Sequence, residues 1–164
     1  MLEGDFHTAL RALSEGGVDF VIVGGLAAVL NGAPVHTYDV DIVPARDEEN
    51  LSRLLRVLDG IDAIYRIQPS RRLKPSLSHL RSPGHQNLVT TCGHLDVLGT
   101  IGRGLTYQDL LPHTIEMEIG EGVRVRVLDL ATLVALKEEL AGEKDLAVLP
   151  TLRRTLEQQQ RRSE

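Results

Sequence analysis

The chain has 164 residues, 42% of them hydrophobic and 25% charged, with a formal net charge of −5. This is enough for one domain with a core, too apolar for a disordered segment, and too acidic for binding polyanions through bulk charge. The lone Cys92 excludes an intrachain disulfide. With no basic, apolar leader at the start, it predicts a cytoplasmic protein, and the longest apolar run, Phe20 to Leu30, is too short to predict a membrane partner.

Phe6, Ala9, Leu10 and Leu13 recur at helical spacing, on a helix that Gly16-Gly17 ends. Residues 18–23 read as a buried strand, and Gly24-Gly25 as a turn into a short helix stopped by Asn31-Gly32. A second strand covers 38–43, with Val40 and Ile42 toward the core and Pro44 at its end. Asp47 or Asn50 caps a helix to residue 58, whose apolar face carries Leu51, Leu54, Leu55 and Leu58. Residues 63–67 predict a third strand. Residues 68–85 hold Pro69, Pro75, Pro83 and Gly84 and read mostly as loop. Two hairpins follow: 88–91 with 94–98 around Cys92-Gly93, and 115–119 with 123–127 around Gly120-Glu121-Gly122. Asp129 caps a helix to 140 with Leu130, Leu133, Val134 and Leu136 as core. Gly142 breaks it, and a last helix covers 144–158. The fold class expected is α/β (α+β), a mixed sheet with helices packed on it, in a single domain over 1–158, with 159–164 a frayed tail.

The second strand carries the chemistry. Asp39 and Asp41 are two residues apart and therefore share one face. Two carboxylates side by side repel, and a hard divalent cation with oxygen ligands neutralises them. Asp96 interrupts another apolar strand. Leu95 and Val97 point to the core, so Asp96 shares the opposite face with His94 and Leu98. Acids within apolar strands are costly unless paired, and three on two strands beside a glycine pair point to a site.

These residues resemble the nucleotidyltransferase superfamily, in its small bacterial branch that includes toxin-type (AbiEii-like) and minimal members. The resemblance rests on Gly24-Gly25-Leu26-Ala27, Thr37-Tyr38-Asp39-Val40-Asp41-Ile42 and Leu95-Asp96-Val97-Leu98. It continues through Val127-Leu128-Asp129-Leu130-Ala131-Thr132-Leu133-Val134-Ala135-Leu136-Lys137 and Lys144-Asp145-Leu146. It implies a nucleotidyltransferase-like sheet and transfer of a nucleoside monophosphate from a nucleoside triphosphate to an RNA or protein acceptor. It also implies a toxin role with an antitoxin partner. Asp39, Asp41 and Asp96 would be the catalytic and metal-binding residues, holding Mg²⁺ or Mn²⁺, with Asp96 helping to deprotonate the acceptor hydroxyl. Gly24, Gly25, His36, Thr37 and Lys137 would contact the nucleotide. Leu26 stands where many members have Ser, and His36 near the place where the toxin-like branch has Arg. The competing reading is a non-catalytic protein of the same fold that binds a nucleotide or a partner protein.

Other features carry less. His85, Cys92 and His94 match no closed zinc spacing and read as turn and surface residues. Arg66, Arg71, Arg72, Lys74, His79, Arg81 and His85 form a basic stretch, which reads as a solvated loop or as a surface for RNA. Lys144-Asp145 reads as a structural pair at the start of the last helix.

Overall fold

Every residue of Phe20–Val23 is buried, as a strand covered on both faces requires, and this strand, β1, lies inside a seven-stranded sheet. The structure is a computed structural model and describes residues 5–140 and 142–164. In chain order the elements are α1 (Phe6–Glu15), β1, α2 (Gly24–Leu30), β2 (Asp39–Pro44), α3 (Glu48–Gly60), β3 (Ile64–Tyr65), α4 (Leu77–Arg81), β4 (His85–Thr90) and β5 (Gly93–Leu98). They continue with α5 (Tyr107–Leu110), β6 (Thr114–Glu118), β7 (Arg124–Leu128), α6 (Leu130–Leu140) and α7 (Glu143–Arg162). The sheet order is β3-β4-β5-β2-β1-β7-β6. It is mixed: β2 runs parallel to β5 and β1 parallel to β7, whereas β1 and β2 are antiparallel.

Local chemistry explains most boundaries. Asp5 caps α1 by accepting from Thr8 N, and Asp47, not Asn50, caps α3 by accepting from Asn50 N. Asn50 is fully buried and ties three points together, accepting from Asp19 N and donating to the carbonyls of Asp19 and Ala45. Asp129 caps α6, with its Oδ1 accepting from Thr132 N at 2.7 Å.

Several boundaries differ from the sequence reading. Pro44 is the last residue of β2, paired with Phe20, where its missing N–H costs little. The third strand shrinks to Ile64–Tyr65, although Arg66 N still donates to Asn87 O at 3.0 Å. The loop expected over 68–85 contains a 3₁₀ turn at Pro69–Arg71 and α4, whose start is a capping box between Ser76 and His79. Residues 107–113, which carried no expected element, form α5 and a 3₁₀ turn at Leu111–His113. The frayed tail expected over 159–164 is helical through Arg162. Leu149, Leu152 and Thr155 are buried along α7, and Gln159 Nε2 donates to Asn31 O at 2.7 Å. Among the described residues no helix is long and apolar enough to cross a membrane.

Candidate active site

The three strand acids lie on one face of the sheet because of register. Asp41 is directly opposite Asp96 across the parallel β2–β5 pair, and Asp39 is opposite His94. The row through Asp41 continues to Val23 on β1 and, past Asp96, to Asn87 on β4. Neighbouring strands lie about 4.8 Å apart, so opposed residues touch. Asp39 Oδ1 meets His94 Nδ1 at 3.0 Å. The Asp41 and Asp96 carboxyls face each other directly across the β2–β5 pair.

Two ionised carboxylates cannot share that contact cheaply. Burial pushes the Asp41 carboxyl up to about 7, aided by the Asp96 charge and the Asp39 charge. Arg66 opposes the rise. Arg66 reaches across from the sheet edge and donates through Nη2 to Asp96 Oδ1. The sequence reading had placed Arg66 in the basic stretch. Its partner there was invisible because the pairing spans 30 residues and two strand contacts.

The glycine pair stands against this face. Gly24 opens α2 directly, without an intervening turn, at φ +65, and a Cβ there would collide with Asp41 Oδ2. A Cβ on Gly25 would come within 2.9 Å of Thr37 Oγ1. Thr37 Oγ1 in turn donates to Asp39 O at 3.2 Å. Both glycines therefore let the α2 backbone close onto the acid-bearing strand, and Gly24 alone also needs the left-handed conformation. His36 is exposed on the approach to β2.

Lys137 enters from α6. With Val23, Gly24, Asp41 and Asp145 it lines a cavity of about 120 Å³ that is otherwise apolar, walled by Leu98, Ile101, Leu133, Leu136 and Leu140 among others. Its Nζ pairs with Asp145 Oδ1 at 3.1 Å, both side chains being mostly buried. Asp145 thus faces the cleft, where sequence had offered a local pair with Lys144. Leu136, expected in the core, is a cavity wall.

The donor set fits a hard divalent cation on two observations. Asp41 Oδ1 is buried with no hydrogen-bond partner, and the acidic side chains on this face offer only carboxylate oxygens. The set is not pre-assembled. Among the described residues no three His, Cys, Asp or Glu side chains already form a metal-holding group; Asp39 pairs with His94 and Asp96 with Arg66. The same holds for His85, Cys92 and His94. The basic stretch is largely neutralised internally: Arg72 pairs with Asp62, Lys74 with Asp59 and Arg81 with Glu48.

The chain matches no protein-family model and no curated protein sequence. Its fold is similar to that of the lincosamide antibiotic adenylyltransferase LnuA in its lincomycin-bound form, at 14% identity and a TM-score of 0.61, covering 91% of this chain and 94% of that one. It is also similar to TM1012 of Thermotoga maritima, assigned as a nucleotidyltransferase, at 19% identity and a TM-score of 0.54, covering 93% and 90%. At these identities the likeness concerns the fold, which is nucleotidyltransferase-like: a mixed seven-stranded sheet with helices packed on it.

Proposed function

We propose that the chain is a metal-dependent nucleotidyltransferase that moves a nucleoside monophosphate from a nucleoside triphosphate onto an acceptor hydroxyl. The observation that carries this reading is the row Asp41–Asp96 beside Asp39, closed on one side by Gly24. The neighbours' names support it: one is an adenylyltransferase, the other is assigned to nucleotidyl transfer.

Asp39, Asp41 and Asp96 would hold Mg²⁺ or Mn²⁺. Bound there, the cation would supply neutralisation of charge on the phosphoryl oxygens. Lys137 holds the triphosphate, exchanging Asp145 for a phosphate oxygen as its partner. Gly24 and Gly25 keep side chains out of the approach to Asp41 and Thr37. Asp96 orients the acceptor hydroxyl and takes its proton as the oxygen attacks the α-phosphorus. The apolar walls around Lys137 and Asp41 keep water from competing as acceptor. The motif resemblance extends the reading to an RNA or protein acceptor and to a toxin held by an antitoxin partner.

The test is thermal unfolding with Mg²⁺ or Mn²⁺ and each nucleoside triphosphate, since a ligand of the native state alone raises the melting temperature. Wild type should be stabilised by the pair and Asp39→Asn should not. An equal rise in the variant would place the ligand elsewhere. Incubation with α-labelled triphosphates then separates transfer from binding alone, because only transfer moves label to an acceptor and releases pyrophosphate.

A further inference from the structure

We infer that Arg66 is a displaceable counter-ion: its guanidinium holds Asp96 while the acid cluster lacks a cation, and yields Asp96 when a divalent cation binds. The inference rests on the metal dependence proposed above and concerns a residue that reading does not use.

Four observations carry it. First, Arg66 belongs to the same cross-strand row as the acids, since its N–H donates to Asn87 O and Asn87 is opposite Asp96. Its side chain therefore spans β4 to reach β5. Second, the contact is incomplete. Only Nη2 meets Asp96, and that same atom also donates to Leu88 O at 3.4 Å. Arg66 Nε is buried and has no partner. A guanidinium built into a permanent pair is commonly bidentate and saturated, whereas this one leaves donors unused. Third, Arg66 supplies the guanidinium charge on a face that carries three acids, with His94 as the other basic group in contact with them. A divalent cation brings more charge to the same oxygens and takes more of their lone pairs. Fourth, the released guanidinium has somewhere to go. A recess of about 470 Å³ adjoins it, lined by Tyr65, Arg66, Ile67, His85 and Asn87. There Nε and both Nη atoms can be solvated or can meet an anionic group of an incoming molecule.

The consequence is a competition. Arg66 lowers the affinity of the site for its cation and, in exchange, keeps the acids from repelling one another when the cation is absent. In this state one Asp96 oxygen is engaged by Arg66.

Mn²⁺ binding to the full chain, followed by calorimetry without nucleotide, tests this. Arg66→Gln should bind Mn²⁺ about tenfold more tightly than wild type, a change of about 1.4 kcal/mol. Arg66→Lys, which keeps the charge, should stay near the wild-type affinity. An equal or weaker affinity in the Gln variant overturns the inference. A second measurement needs no variant: the rate at which phenylglyoxal modifies Arg66 in wild type, read by peptide mass spectrometry. Saturating Mn²⁺ should accelerate it, and an unchanged or slower rate overturns the inference. If wild type binds no Mn²⁺ without nucleotide, the counter-ion role falls, while the metal dependence proposed above is decided by the melting test with triphosphate. Binding without a change at Arg66 removes the counter-ion role alone.

Discussion

Asp41→Asn should make the protein more stable, by a margin that grows as pH rises from about 4 to about 7. The substitution keeps the shape of the side chain and removes its charge, and the new amide can donate to the Asp96 carboxylate opposite it. In the folded protein the Asp41 carboxyl is pushed up to about 7 from an ordinary value of 3.8, first by burial and then by Asp96. The folded state thus holds this proton more tightly than the unfolded state. The stability it contributes is full below about pH 4 and is lost as pH rises through about 7. Keeping the carboxyl ionised in the fold at pH 8 costs up to about 4 kcal/mol, at about 1.4 kcal/mol per pH unit. Asp96 and Arg66 can readjust around the ionised form, so a gain of about 2 kcal/mol is expected, or about 4–8 °C in melting temperature for a chain of this size. Thermal unfolding of both proteins at pH 5 and pH 8, with chelator present, gives the comparison. The variant should gain clearly more at pH 8 than at pH 5, where only about a third of the penalty has developed. The same gain at both pH values, or a loss at pH 8, would refute the reasoning, because the penalty would not then come from ionising Asp41.

Gly24→Ala should lower the melting temperature and abolish cation binding. It puts a Cβ in a left-handed conformation at a cost of about 1–2 kcal/mol and drives it into Asp41 Oδ2; unfolding and Mn²⁺ calorimetry check both. Lys137→Ala should weaken triphosphate binding while the fold persists. It should also leave Asp145 mostly buried and unpaired, for a loss of about 1–3 kcal/mol. Nucleotide calorimetry showing unchanged affinity would reduce Lys137 to a structural partner of Asp145.

That the acids of the candidate site share one face was legible in the sequence because strand alternation is local. Asp39 and Asp41 had to share a face, and Leu95 and Val97 fixed the side on which Asp96 stands. Gly24 was legible as a backbone special, but the reason for it, the closeness of Asp41, needed the β1–β2 register. Arg66 was not legible as a partner of Asp96. β3 is two residues long, too short for any periodicity, and its place at the sheet edge comes from pairing with β4 more than 20 residues later. Asp145 was misassigned for a similar reason: whether it faces Lys144 or Lys137 depends on how α7 folds back against α6. The polar composition of 157–164 pointed to fraying, because sequence alone could not show the bond from Gln159 to the end of α2.

That bond has a consequence for synthesis. Asn31, at the rear of the helix that begins with Gly24, donates to Ala27 O and Leu128 O, and its own carbonyl accepts from Gln159, 128 positions later. Those two anchor points are translated long after the helix they fasten. A ribosome-bound chain that has exposed both acid-bearing strands still lacks the clasp behind its glycine pair. Closure of that clasp behind α2 should therefore lag behind formation of the sheet, waiting until residue 159 is free to fold back onto Asn31.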